Sequence, residues 1–324
     1  GNKESDFEVY ENLTFLNCTM IDQYHELNIF GEGSFMMMEC EFLRSVGLYL
    51  SRYEGYLFQI INNTFQETTL PFKSYDIRNY GIISIQNNSF STGQNCIYID
   101  HDYGSITGLE TKCIIKNNDI IDFSGYGMRV LYCENTTISG NNISSCGTDG
   151  IYFHVYGQNS SVQDNIVNDS GNYGIRVSYI DNGTVFNNTV LNSAYGLYIS
   201  GLYSQVYNNT FLENNYGIYS SNFDFSEIRN NSILNNSVYG IYLRYSDQMK
   251  VISNNINNGE GDGLVLYESD RIVIESNLVF YNNHSGIFIQ GSSYLTIKNN
   301  TISNNSGNGI DGQWSSFSIF FQNE

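Results

Sequence analysis

Apolar residues recur along this chain in short runs that alternate with polar ones, and no stretch carries the i, i+3, i+4 pattern of a helix. The segment from Asn188 to Asn208 holds three such runs, separated by Asn, Ser and Gly. Period-two alternation broken by turn formers predicts short strands. In the runs that open on a glycine, the inward positions are Ile151 and Phe153, Ile175 and Val177, Leu197 and Ile199, Ile241 and Leu243, Leu264 and Leu266, and Ile287 and Ile289. Tyr152, Arg176, Tyr198, Tyr242, Val265 and Phe288 lie between them and are expected to face out.

These runs are copies of one unit. Asn63, Asn88, Asn118, Asn142, Asn165, Asn188, Asn209, Asn231, Asn255, Asn277 and Asn300 return about every 21 to 25 residues, apart from one step of about 30, and glycines from Gly127 to Gly309 keep the same beat. A period this short cannot enclose its own core, so each unit must stack on the next in a solenoid. Abundant β-branched residues, Asn and Gly exclude a helical solenoid. Fixed apolar sites that accept Ile, Val, Leu or Phe separate the pattern from leucine-rich repeats. The predicted fold is an all-β, single-stranded parallel β-helix of roughly thirteen coils, about 21–25 residues each. The repeated Asn is expected to tolerate a left-handed backbone and to build an amide ladder along one corner. The repeated Gly is expected at another sharp corner.

One β-helix domain over 1–324 is expected, with less regular coils over 1–60, an inserted loop over 100–113 and a closing or contact segment over 311–324. The apolar run from Trp314 to Phe321 would either fold back as a lid or touch another subunit. The start at Gly1, with no signal peptide, suggests a processed form or a fragment.

Units such as Asn209-Thr210-Phe211 with Tyr216-Gly217-Ile218-Tyr219, and Asn300-Thr301-Ile302 with Gly309-Ile310, resemble the parallel β-helix repeat proteins. The nearest group is the NosD-like, carbohydrate-binding and sugar-hydrolase proteins. The resemblance covers about residues 60 to 310 well and extends more weakly to Cys18 and Cys40, one and two periods before Asn63. The chain also resembles archaeal adhesin-like and surface proteins built from this repeat. The resemblance implies a right-handed β-helix. It says little about activity, because lyases, epimerases, tailspikes, adhesins and surface-layer proteins share the motif.

Composition narrows the field. With 33 acidic and 14 basic residues the surface is strongly negative, which argues against nucleic acid and anionic lipid. No apolar stretch approaches the ~18 residues of a membrane span. Asn-x-Ser/Thr sites at Asn12, Asn135, Asn159, Asn182, Asn208, Asn230, Asn283 and Asn299 suit a secreted glycoprotein, although several follow from the Asn-Asn-Thr repeat itself. Six cysteines in that setting suggest disulfides. Cys18 and Cys40 occupy equivalent points of successive coils, Cys113 can meet Cys133, and Cys96 with Cys146 follows by elimination; buried free thiols are the alternative.

Counted from the corner glycine, or from Cys96 in its place, Tyr98, Arg129, Tyr152 and Arg176 share one outward column, and Asp100 and His154 share the column two residues on. A carboxylate, an imidazole and a guanidinium on an aromatic strip could serve proton abstraction beside a sugar carboxylate. Against this, no dense set of Asp, Lys and Arg spans three consecutive coils, so a solvated face with scattered charges is the simpler reading. Tyr98, Tyr152, Tyr198, Tyr219 and Tyr242 form the stronger feature, a face suited to sugar rings or to a protein partner, or one that only braces neighbouring coils. Asp149, Asp262 and Asp311 recur beside one corner and could hold Ca2+; no other cofactor is implied. The expectation is therefore a non-enzymatic extracellular structural or adhesive glycoprotein of a cell-surface layer, sheath, fibre or adhesin. Its partners would be copies of itself, neighbouring surface proteins or carbohydrate. The alternative is a polysaccharide lyase, epimerase or hydrolase using Asp100, Arg129 and His154.

Overall fold

In the computed structural model, which describes residues 5–53, 55–75, 81–100, 111–155, 158–316 and 318–323, every regular element is a strand and strands of one sheet pair in parallel. Two compact units divide the chain, Gly1–Ile166 and Val167–Glu324. Each is a parallel β-helix whose chain visits three sheets in turn, with about thirteen turns in all. In the first unit, Leu48–Tyr53, Phe72–Tyr75, Ile97–Asp100, Met128–Leu131 and Ile151–His154 are successive rungs of the first sheet. In the second unit that sheet runs from Tyr173–Ser178 to Ile310–Gln313.

The alternation gives the core correctly. All twelve residues expected to face inward are at most 1% exposed. Phenylalanines stack at successive rungs inside the first unit, Phe42 on Phe65 at 4.7 Å and Phe65 on Phe90 at 4.9 Å. Val265 departs from expectation: it stands in the outward column between Tyr242 and Phe288 yet is only 2% exposed, being a short side chain flanked by two large ones.

The asparagine ladder exists, and it divides two jobs between two residues. The residue before the ladder Asn takes the left-handed backbone, as at Asn62 (φ 56), Asn87 (φ 55) and Asn208 (φ 57). The ladder Asn turns inward and bonds along the stack. Asn209 donates to the carbonyls of Val185 (3.0 Å) and Tyr207 (3.1 Å) and to Asn231 Oδ1 (3.0 Å). Its own Oδ1 accepts the backbone and side-chain N–H groups of Asn188, both at 2.9 Å. The rungs at two places differ from expectation by one residue: Asn141 and Asn254 are in the ladder, and Asn142 and Asn255 begin the following strands. At the N-terminal end Cys40 takes the ladder position, donating its N–H to Asn63 Oδ1 at 2.9 Å. A second ladder through Ser193, Asn214 and Asn236, and again through Asn282 and Asn305, was not foreseen.

The corner glycines are needed for space, not for backbone freedom. Gly217 and Gly240 are not among the positive-φ residues. A Cβ on Gly217 would lie 2.6 Å from the carbonyl oxygen of Gly240 and 2.6 Å from Ile233 Cγ2, and one on Gly240 would lie 2.5 Å from the oxygen of Gly263.

None of the three expected disulfides is present: all six cysteines are free. Cys18 and Cys40, and Cys113 and Cys133, do meet as their spacing suggested. Cys18 donates its thiol to Leu16 O (3.4 Å) and Cys40 to Met38 O (3.3 Å). Cys113 Sγ lies 2.9 Å from Cys133 Sγ as one thiol against another. Burial pushes the Cys96 and Cys133 thiols well up and Cys146 to about 12, so they stay protonated at neutral pH.

Of the insertion expected over 100–113, residues 101–110 lie outside the described residues. The C-terminal segment does not fold back as a lid. Ile310–Gln313 and Ile319–Phe321 extend two sheets in the running register, leaving Ile319 61% and Phe320 49% exposed. No helix among the described residues is long and apolar enough to cross a membrane.

Candidate functional site

Because strands of the first sheet stack in register, side chains one turn apart in sequence become neighbours on its outer surface. In the first unit Lys73 pairs with Tyr49 and Tyr98, Tyr98 with Arg129, and Arg129 with Tyr152. Two residues on, Tyr75 pairs with Asp100, Asp100 with Leu131, and Leu131 with His154. The expected columns are therefore real, and Asp100 and His154 stand two rungs apart with Leu131 between them.

Arg129 is the centre of this group. Its Nη1 is 3.4 Å from Asp100 Oδ2, and the two side chains are only 23% and 22% exposed. The hydroxyl of Tyr98 reaches the same Oδ2 at 3.4 Å. The guanidinium carbon lies 4.7 Å from the Tyr98 ring, 5.8 Å from Tyr126 and 5.9 Å from Tyr152, within the range of cation–π attraction. His154 packs edge-on to Tyr132 at 5.2 Å and to Tyr152 at 6.2 Å. Thus the structure joins Asp100 to Arg129 directly and places His154 two rungs from Asp100 in the same column. Below them, Lys73 sits 4.9 Å from each of the Tyr49 and Tyr75 rings. Sequence reading missed Tyr49, which follows Gly47, and Lys73 and Tyr75, whose coil has Pro71 where others carry the glycine. The spacing of Tyr49, Lys73 and Tyr98 would have revealed them.

The second unit carries the fuller aromatic face. Tyr173, Tyr195 and Tyr216 stack with 4.7 Å between successive ring centroids. Tyr198 and Tyr219 stack at 5.8 Å, and Tyr242 follows at 5.1 Å from Tyr219. The two columns interlock, Tyr195 meeting Tyr219 edge-on at 5.6 Å and Tyr239 meeting Tyr242 at 5.4 Å. Arg176 lies against the Tyr173 ring at 5.2 Å and the Tyr198 ring at 5.8 Å. Burial raises the phenols of Tyr198, Tyr216 and Tyr239, and pushes Tyr242 up to about 12. These hydroxyls therefore remain protonated donors across the physiological range.

Each of these rings is half-buried, the stacked faces covering one another along the columns. Such a surface offers an extended sugar chain rows of ring edges and of hydroxyls that can exchange hydrogen bonds with it.

The remaining candidates lie apart. Asn12, Asn159, Asn182, Asn208, Asn230, Asn283 and Asn299 are exposed, and Asn135 is half-buried. Asp149 is buried in the first unit at 2% exposure, whereas Asp262 and Asp311 line a cleft in the second. Among the described residues no three His, Cys, Asp or Glu side chains converge as a metal site.

A parallel β-helix with a ladder-bearing corner and a columnar outer face defines the class. The pattern of the right handed beta helix region matches residues 75–233 and 185–324, and the chain belongs to that family. No curated protein sequence matches the chain. Among solved structures, a double mutant of the periplasmic alginate epimerase AlgG is similar over 92% of this chain and 77% of its own, at 15% identity and TM-score 0.64. The A-module of the Azotobacter vinelandii mannuronan C-5 epimerase AlgE6 is similar over 99% of this chain and 91% of its own, at 11% identity and TM-score 0.59. The Dettilon tailspike protein is similar over 95% of this chain and 61% of its own, at 13% identity and TM-score 0.54. Identities this low establish the shared fold alone.

Proposed function

We propose that this chain is an extracellular adhesive protein that holds an extended polysaccharide along the outward face of its first sheet, without turning it over. The observation that carries the reading is the pair of interlocked tyrosine columns in the second unit. Neighbouring rings among Tyr195, Tyr216, Tyr198, Tyr219 and Tyr242 lie 4.7 to 6.4 Å apart along three rungs. A repeating ligand finds a repeating surface there, one contact per rung spacing of about 4.8 Å. The similarity to alginate and mannuronan epimerases supports carbohydrate as the ligand class, and a periplasmic relative in fold supports a location outside the cytoplasm. Exposed sequons such as Asn208 and Asn299 fit a glycoprotein at a cell surface.

One group favours a second reading, a uronate epimerase or lyase. Arg129, braced by three tyrosines, would accept a sugar carboxylate in exchange for Asp100, freeing Asp100 for proton transfer with His154 two rungs away in the same column.

Retention on a panel of immobilised polysaccharides, with release of unsaturated or reducing ends measured in the same samples, tests both. The adhesive reading predicts retention by at least one polymer, a drop of about tenfold in affinity for Tyr219→Ala, consistent with the loss of an aromatic anchor, and no new sugar ends. Turnover abolished by Asp100→Asn would establish the enzyme instead.

A further inference from the structure

Where the tyrosine columns of the second unit end, its outer surface steps down. Tyr239 is followed in register by Asp262, and the equivalent positions before the next corner glycines are Ser285 and Asn308. In the adjoining column Tyr242 gives way to Val265, then Phe288, then Asp311. Replacing rings by short side chains opens a cleft of about 410 Å³ whose lining includes Asp262, His284, Ser285, Phe288, Asn308 and Asp311. Clefts of ~300–1,000 Å³ are the usual size for small-molecule sites.

The lining combines one aromatic wall with two carboxylates and contains no Lys or Arg. Asp262 Oδ1 accepts the backbone N–H of Ser285 at 2.7 Å, which fixes the side chain at the cleft edge. Its reach to the platform is visible at Tyr239, whose phenol is raised first by burial and then by the Asp262 charge. Asp311 is the direct register partner of Phe288. At the opposite end of the same columns stands Arg176, against Tyr173 and Tyr198. Within this unit the aromatic platform therefore runs from a cation at one end to two carboxylates at the other.

We propose that the cleft is a subsite for an amino sugar bearing a free ammonium group. The sugar ring packs on Phe288, its ammonium pairs with the Asp311 carboxylate, and Asp262 with Ser285 and Asn308 meets its hydroxyls. An acidic sugar is disfavoured by repulsion from both carboxylates, and a neutral one forgoes the charge-assisted bond. The subsite rests on the carbohydrate reading of the tyrosine face and adds to it a choice of sugar.

The test compares a glucosamine trimer with its fully N-acetylated counterpart, titrated into the full chain at a pH where the amines are protonated. The subsite predicts that the glucosamine trimer binds about tenfold more tightly, as expected for one charge-assisted hydrogen bond. Asp311→Asn should bring the two trimers to near-equal affinity and Asp262→Asn should narrow the gap. Asp119→Asn, a charge-matched change at an exposed site of the first unit, should leave the preference intact. Both cleft variants keep an amide oxygen in place of the carboxylate, so the Asp262 bond to Ser285 survives. Equal binding of the two trimers, weakened by Tyr219→Ala, would overturn the subsite while leaving the carbohydrate face standing. A preference unchanged by Asp311→Asn and Asp262→Asn would overturn it as well. So would binding of neither trimer by a chain that is still retained on a polysaccharide.

Discussion

The asparagine pairs show how one dipeptide fixes both the bend and the bonding of a corner. A left-handed residue is required where the chain turns, and Asn tolerates that conformation better than other non-glycine residues. An inward amide next to it then satisfies the backbone groups that the turn leaves without strand partners. The Asn209 side chain alone takes part in five hydrogen bonds in this way. Replacing it by Leu strands buried donors and acceptors at a cost of ~1–3 kcal/mol each. We therefore expect Asn209→Leu to lower the thermal midpoint by several degrees, while Asn208→Gly, which keeps the left-handed backbone of an exposed residue, shifts it little. Equal midpoints for Asn209→Leu and the parent chain, read by circular dichroism, would remove the ladder from the account. The ladder was legible as a period but not to the single residue. At Asn141-Asn142 and Asn254-Asn255 either member fits the spacing, and only the register of the following strand tells which turns inward.

At the scale of strands and columns, alternation predicts burial well because stacked sheets give each residue one of two faces. It fails at Val265, where the neighbours' size and not the face decides exposure. Columns also bring like charges together. Asp247 donates its backbone N–H to Asp224 Oδ1, and Asp270 donates to Asp247 Oδ1, each at 2.7 Å. Burial, opposed by that hydrogen bond and reinforced by the Asp247 charge, raises the Asp224 carboxyl above its ordinary value. Between the unfolded and the raised folded value the native state binds more protons, so stability falls as pH rises through that window and the penalty persists above it. Asp224→Asn keeps an acceptor for the Asp247 N–H and removes the charge. Its thermal midpoint should exceed the parent's at pH 7, and the difference should vanish below the carboxylate range. An unchanged or lowered midpoint at pH 7 would contradict the burial argument. The disulfides show the opposite limit of sequence reading. Spacing placed Cys113 beside Cys133 correctly, yet adjacency in a ladder does not by itself dictate a covalent bond, which also needs an oxidising environment.

Over the whole chain, the fold was legible because a repeat is a redundant message: errors in one coil are outvoted by the others. The candidate site was legible only in part. Tyr98, Arg129 and Tyr152 emerged from the count, whereas Lys73 lies on a coil that lacks the usual glycine, and the cleft at Phe288 arises from small residues that carry no motif. A chain of formal charge −19 still concentrates Lys73 and Arg129 against tyrosines on one face of the first unit, and Arg176 on that of the second. The most direct test of the central claim is oxidative footprinting of tyrosines, read by mass spectrometry with and without the polysaccharide that retains the chain. Tyr198, Tyr219 and Tyr242 should be protected by the ligand, while Tyr203, Tyr281 and Tyr294, each more than half exposed at 56%, 55% and 52%, should remain as reactive as before. Protection of the second set with none of the first would place the ligand elsewhere and contradict the account.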